Sequence, residues 1–359
     1  MSNERALPEG GRGIDSGFLA GWREAPESTR TRMLEDYVCL LVAEFLELPA
    51  DDPVAAEDGF LDLGFDSLRA VDFKILVEAR LGCALESTVL FACPTPAPVP
   101  TVSVEVVTTA LVHADWKQVV DDGTAGAVDL PVQVGLIRHP DATIAVDAGL
   151  GLAARAGDYP GFPLSAIMAF TVPEGAALVE QLAAPPDLFL MTHLHYDHVG
   201  GLLDFPGATV WTTEDDWRAY GANARGGFPK ALREGLDWRP QDLDAHGASM
   251  VLGRPALDVL GDGTVWYLSL TGHTPGAAAV LARAEDGPWL FVGDTAWVEA
   301  HLDGARRPPM VRAVIDSHPR EVVQSVRWAQ ALKEQCPDLR VVVGHEPANA
   351  AGLSSAGSP

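Results

Sequence analysis

Cysteine is scarce in this chain of 359 residues: there are four, Cys39, Cys83, Cys93 and Cys336, and no two stand in a C-x-x-C spacing. That excludes a zinc ribbon and supplies no disulfide framework, which suits a reducing, cytoplasmic location. Basic residues are also few, 25 Lys and Arg against 50 Asp and Glu, for a formal charge of −25. Such a surface repels phosphate backbones and anionic lipid, so no nucleic acid and no membrane is expected as a partner. No run reaches the roughly 20 apolar residues of a membrane span. The polar, Gly-rich beginning MSNERALPEGGRGIDSG carries no apolar segment of signal-peptide type. Residues 1–27 are expected to be a disordered leader and residues 351–359 a disordered tail. With 47% hydrophobic residues and enough length for two or three domains, the rest can bury a large core.

What the chain does have is concentrated in residues 191–201, MTHLHYDHVGG. His193, His195, Asp197 and His198 make an H-x-H-x-D-H pattern just after residues 187–192, which read as a buried strand. Imidazole nitrogen and carboxylate oxygen are the ligands a borderline cation such as Zn²⁺ prefers. Four such side chains within six residues are not explained by packing or solvation. Three later positions repeat one arrangement: LSLTG precedes His273, LFVG precedes Asp294 and VVVG precedes His345. Each is a ligand-type residue directly beyond a strand and a glycine, where a sheet edge can aim it into a common cleft. Together the seven supply two metal sites.

Earlier in the chain, Met33, Leu34, Tyr37, Val38, Leu41, Phe45 and Leu48 recur at helical spacing from about residue 28, until Pro49 and Pro53 stop the helix. An acidic loop, 50–62, leads to a second helix opened by Ser67, with Leu68, Val71, Ile75 and Ala79 as its expected apolar face and Gly82 closing it. Ser67 alone would read as a plain helix N-cap, since Ala70 offers no capping-box carboxylate. The run DLGFDSL around Ser67, and the ending LESTVLF before Pro94-Thr95-Pro96, resemble the acyl carrier proteins of polyketide and peptide synthases over residues 28–96. That resemblance implies an all-α four-helix carrier bundle at residues 28–92, with 4′-phosphopantetheine attached to Ser67 by a phosphopantetheinyl transferase. A phosphodiester there would face the positive end of the helix dipole. Asp58, Asp62, Asp66, Asp72 and Glu78 would meet basic patches on biosynthetic synthase enzymes. Residues 93–101, CPTPAPVPT, form a Pro-rich linker, a semi-rigid spacer of roughly 3.1 Å per residue.

From residue 102 to 350 strand and helix patterns interleave, the mark of an α/β or layered fold. The ligand pattern here resembles the metallo-β-lactamase superfamily of metal hydrolases, which implies an αββα sandwich. By that resemblance His193, His195 and His273 hold one metal, Asp197, His198 and His345 a second, and Asp294 bridges them, while Asp147 stabilises a turn. Two Zn²⁺ are implied, with Fe or Mn as alternatives; His195 stands where relatives with redox-active di-iron usually carry glutamate. The flanks of His273 and Asp294 look closest to the lactonase and thioesterase branches. The aromatic-rich segments 155–170 and 211–238 read either as lids over an acyl group or as loops packed on the scaffold. The expected reaction is release of an acyl or polyketide chain from its carrier thioester by metal-activated hydroxide. Asp197 and Asp294 are the expected catalytic proton carriers, and Tyr196 and Tyr220 the candidate oxyanion donors. A lactonase or esterase on a free small molecule, with the carrier domain for docking, is the second reading. A carrier and delivery module with a non-hydrolytic metallo domain is the third.

Overall fold

The computed structural model describes residues 14–49, 53–56, 58–60, 63–65, 67–83, 85, 102–161, 169–221, 230–244, 249–251 and 253–350. The chain divides into two compact units, Met1–Pro100 and Thr101–Pro359.

In the first unit, α1 (Ser16–Glu24), α2 (Glu27–Phe45) and α3 (Ser67–Leu81) are the described helices. The expectation of a disordered leader through residue 27 is corrected by α1. Asp15 caps it, accepting the Phe18 N–H at 2.9 Å, and takes the Tyr37 hydroxyl at 2.9 Å. Phe18 stacks on Tyr37 with ring centroids 3.8 Å apart, so the aromatic residues of this stretch are tied to α2. The core gathers Leu41 and Val42 of α2, Phe60 and Phe65 of the connecting loop, and Phe73, Leu76 and Val77 of α3. This corrects the face expected for α3: Val71 and Ile75 are 49% and 45% exposed, while Ala70, Phe73, Leu76 and Val77 are buried. Both stripes have helical spacing, and the aromatic weight of Phe73 against Phe60 and Phe65 decides which turns inward. Gly82 ends α3 with φ +65° and donates its N–H to Glu78, as its position implies. The expected last carrier helix, the linker 93–101 and the tail 351–359 lie outside the described residues, as do residues 162–168 of the aromatic-rich segment 155–170.

The second unit is two sheets face to face. One has β4 (Phe170–Thr171), β1 (Ser103–Asp115), β2 (Ala127–Arg138), β3 (Thr143–Val146), β5 (Leu188–Leu190), β6 (Thr209–Thr213) and β7 (Asp237–Gln241), in that order. The other has β13 (Arg340–Val342), β12 (Gly287–Phe291), β11 (Ala278–Ala284), β10 (Val265–Ser269), β9 (Arg254–Asp258) and β8 (Ser249–Val251). Ile137, Ile144 and Leu190 of the first sheet pack with Tyr267, Val280 and Phe291 of the second in one core between them. A second core lies on the outer face of the first sheet, with Leu178 and Leu202. A third joins the outer face of the second sheet to Ala329 and Leu332 of the long helix Pro319–Gln335. The layers are thus αββα.

Strand direction brings the chemistry to one end. β3 runs parallel to β5, so Asp147 and Thr192 leave the same edge. β12 and β13 are parallel, and β10 shares their direction because β11 runs antiparallel to both β10 and β12. His273, Asp294 and His345 therefore follow three co-directional strands. The two edges are stitched by Tyr267, whose hydroxyl donates to the Met191 carbonyl at 2.6 Å, and by the Ala278 N–H, which donates to Thr192 at 2.7 Å.

The turn after β3 is closed against residues 198–201. The Ala148 N–H donates to the His198 carbonyl and the Gly201 N–H to the Gly149 carbonyl, the latter at 2.7 Å. A Cβ on Gly201 would sit 2.1 Å from the Ala148 carbonyl oxygen, a backbone atom that has nowhere to go. Gly201→Ala is therefore expected to lose about 1–3 kcal/mol in urea denaturation, whereas Gly161→Ala, whose Cβ meets open space, stays near wild type.

Candidate metal centre

All seven sequence-predicted residues meet at this end of the sandwich. His193 lies just past β5, His195 precedes the short helix Tyr196–Val199, and that helix carries Asp197 and His198. One ligand atom each from His193, His195, His273 and Asp294 lie within 4.8 Å of one another, as do those of Asp197, His198 and His345. His195 Nδ1 is 3.1 Å from His193 Nε2 and 3.0 Å from His273 Nε2. Asp294 reaches both groups. Its Oδ2 is 3.9 Å from His193 Nε2 and 3.5 Å from His273 Nε2; its Oδ1 is 3.2 Å from the Nε2 of both His198 and His345. His345 Nε2 is also 3.6 Å from Asp197 Oδ2. The glycine before His345 earns its place here, because a Cβ on Gly344 would stand 2.3 Å from Asp294 Oδ1.

The far nitrogens explain why the near ones converge. His198 Nδ1 is 2.7 Å from Asp147 Oδ2, His345 Nδ1 donates to the Pro131 carbonyl at 2.9 Å, and His273 Nδ1 is 2.9 Å from Asp316 Oδ1. A ring whose Nδ1–H is engaged presents an Nε2 lone pair, and a carboxylate or carbonyl behind the ring raises its basicity. Asp147, held at φ +63°, also accepts the Thr192 N–H and hydroxyl, both at 2.7 Å, so the turn it stabilises is the one that steers His198.

Several supporting residues were not legible in the sequence. Asp316 is gripped by the Arg307 guanidinium at 2.5 Å, and Arg307 also donates to the Asp294 and Thr295 carbonyls. The same guanidinium lies 4.4 Å from the Trp297 ring, whose indole N–H donates to Asp294 Oδ2 at 2.8 Å. Asp216 takes the N–H groups of Leu194 and Gly276, at 3.0 and 2.9 Å, tying the two ligand loops together; burial pushes its carboxyl up to about 6. These are lone charged or aromatic residues whose partners are brought to them by loops, and no helix or strand period marks them.

The donor set fits metal ions. Two imidazole nitrogens, of His193 and His273, stand 3.1 and 3.0 Å from the one Nδ1 of His195, and a single ring nitrogen cannot satisfy both by hydrogen bonding. His198 Nε2 and Asp294 Oδ1 are buried with no hydrogen-bond partner, a costly state that a cation relieves. Burial, with His198 beside it, holds His193 well below the usual imidazole range; burial, with His273 beside it, does the same to His195. Both are therefore neutral ligands at pH 7. His198 and His345 are shifted the other way: burial opposes the charge, but Asp147 and Asp294 hold His198 up and Asp294 holds His345 up.

Two predictions follow from these bonds. A cation taking the His198 and His345 nitrogens must displace the protons those raised pKa values retain, so metal affinity rises with pH through neutrality. Calorimetric titration in buffers of differing ionisation enthalpy should show proton release on metal uptake by the apo protein. Asp316→Asn removes the carboxylate behind His273 and should weaken metal binding about 10–100-fold, read by competition with a chelator.

Residues 127–345 match the family model for the metallo-beta-lactamase superfamily, and residues 36–98 match the model for a phosphopantetheine attachment site. The chain is 27% identical over 245 residues to N-acyl homoserine lactonase AttM of Azorhizobium caulinodans, covering 63% of this chain and 86% of that one. A solved N-acyl homoserine lactone hydrolase, with N-hexanoyl-L-homoserine bound at its catalytic metal centre, shares the fold at TM-score 0.56 and 18% identity, over 69% of this chain and 94% of that one. A 67-residue stretch is 42% identical to phenolphthiocerol synthesis polyketide synthase Pks15/1 of Mycobacterium marinum, 19% of this chain and 3% of that much longer protein. With the ligand-type residues at the strand ends of an αββα sandwich, the chain belongs to the metallo-beta-lactamase superfamily of hydrolases and carries a phosphopantetheine attachment domain ahead of the hydrolase domain.

Proposed function

We propose that this protein is a binuclear thioesterase that hydrolyses acyl chains from a phosphopantetheinylated carrier, the carrier being its own residues 28–92 modified on Ser67. The hydrolase domain is taken as residues 102–350 and the linker as residues 93–101. The observation that carries the reading is a cavity of about 290 Å³ beside the ligand cluster. His195, Asp197, Asp294 and His345 line it together with apolar side chains, among them Val119, Leu130, Trp297, Val311 and Ile315. Such a pocket takes an acyl chain and presents its carbonyl to the polar end. A carrier domain in the same chain makes a thioester the most economical substrate, since the linker raises the local concentration of the arm.

His193, His195 and His273 would hold one Zn²⁺, Asp197, His198 and His345 the other, with Asp294 shared. Two such ions, when bound, supply Lewis acidity toward the acyl carbonyl and make water acidic enough to act as nucleophile near neutral pH. The chain's own residues do the rest. The apolar wall excludes water from the acyl chain. Asp197 and Asp294 are the carboxylates placed to carry the proton from the attacking water, and the thiolate of the arm departs without needing one. Burial pushes the Tyr196 hydroxyl pKa upward, so it stays protonated; it is buried without a hydrogen-bond partner and is a donor for the oxyanion.

With full-length protein modified and acylated at Ser67, intact mass spectrometry should show loss of the acyl group within minutes for the metal-replete wild type and retention for His195→Ala. A stable acyl-protein in the wild type would contradict the reading for that chain. Tyr196→Phe should slow release about 10²-fold. The lactonase names among the relatives favour a second reading, hydrolysis of a free acyl lactone. Turnover of N-hexanoyl homoserine lactone that is unchanged by Ser67→Ala, with no release of the tethered acyl group, would select it.

A further inference from the structure

A second cavity, of about 190 Å³, lies on the other side of the helix Pro309–Ile315. That helix turns Val311 and Ile315 to the acyl cavity and Arg312 to this one. Arg306, Arg307, Arg312 and Arg327 all line it, a concentration of positive charge in a chain that is acidic by 25 charges. Asp316 is the one carboxylate in the lining; its Oδ1 is bound by both Arg307 and His273, while its Oδ2 is buried without a partner among the described residues. Arg306, Arg312 and Arg327 make no ion pair or side-chain hydrogen bond with another described residue. The Nε atoms of Arg307 and Arg312 are buried with no partner. Val322, Val323 and Val326 of the helix Pro319–Gln335 form an apolar wall opposite, and the positive N-terminal end of that helix, at Pro319, borders the cavity.

Arg306 and Arg327 stand exposed at the rim, where water serves them, but Arg307 is buried and Arg312 half-buried, and each keeps a buried Nε–H without a partner among the described residues, a state that an anion would relieve. The planar, multiply donating guanidinium is suited to phosphate oxygens. We propose that this cavity is a binding site for a phosphate-type oxyanion, either inorganic phosphate or the phosphate of a small organic ester whose body rests on the valine wall. The site is distinct from the ligand cluster but touches its support. Arg307, at its base, donates to the Asp294 carbonyl and holds the Asp316 carboxylate behind His273. An occupant therefore draws on the same guanidinium that positions two of the ligand side chains.

The test is calorimetric titration of the full-length chain, as Ser67→Ala to keep its own arm unmodified, with inorganic phosphate and with 4′-phosphopantetheine. Phosphate should bind saturably below about 10 mM and raise the melting temperature. Arg312→Gln with Arg327→Gln should weaken it at least about tenfold, as expected for removing two charged contacts. Because phosphate could also meet ions in the metal centre, the binding must persist in His195→Ala, which separates this site from the proposed thioesterase chemistry. Equal affinity for the two probes assigns the site to the oxyanion alone; tighter 4′-phosphopantetheine adds the valine wall to the ligand's contacts. Should Arg312→Gln and Arg327→Gln disturb folding together, Arg327→Gln alone, at an exposed position, must still weaken binding. Absence of saturable binding by either probe, or binding that survives the arginine changes or disappears in His195→Ala, overturns the proposal.

Discussion

Everything in the second unit depends on one constraint, the burial of Asp294 among the rings of His193, His198, His273 and His345. A carboxylate there is tolerable only because burial, which disfavours its charge, is outweighed by His345 and His198, so its pKa stays well below the usual range. That balance fixes the geometry of the loops, since each ring must offer one nitrogen inward. His198, His273 and His345 do so by engaging the other nitrogen with Asp147, Asp316 and the Pro131 carbonyl. The two sheets supply the elements that face each other: Asp147 and the 193–198 cluster come from the edge of one, His273, Asp294 and His345 from the other. The hydrogen bonds from Tyr267 and Ala278 to residues 191 and 192 keep those edges in register.

How much of this could be read in advance differs by kind of residue. The ligand-type residues were legible because each follows a strand-like apolar run, and four of them cluster within six positions. The layered α/β class followed from the same alternation. The positions that hold them were not legible. Asp316, Arg307 and Trp297 carry no spacing signal, since they sit in irregular loops whose path, and not a helix or strand period, brings them to Asp294 and His273. In the first unit, periodicity found α3 but not its buried face. Val71 and Ile75 share helical spacing with Leu68, and Phe73, Leu76 and Val77 share it equally. The choice between the stripes was made by aromatic residues of the preceding loop. The helix α1 was missed for a related reason: its glycines and polar residues read as a leader, while its stability comes from Asp15 and Phe18 meeting Tyr37 of α2.

Two cavities flank the helix Pro309–Ile315, and their linings differ in kind. One is apolar with the ligand cluster at its end; the other is ringed by arginine. A single helix face change, from Val311 and Ile315 to Arg312, separates the two environments. Arg307 links them physically, because its guanidinium reaches the Asp294 backbone and the Asp316 carboxylate from the arginine side. The carrier region adds a chemically distinct element: residues 36–98 match a phosphopantetheine attachment site, and Ser67, the proposed point of attachment, opens α3. The hydrolytic site and the attachment site are thus both encoded in one acidic chain.

The central claim is that the seven side chains form a two-metal site. Metal analysis of the purified full-length chain tests it most directly. The account predicts two equivalents of divalent metal, predominantly zinc, per chain, falling to one or fewer when the shared ligand is removed in Asp294→Ala. A single equivalent in the wild type, or two equivalents retained in Asp294→Ala, would contradict it.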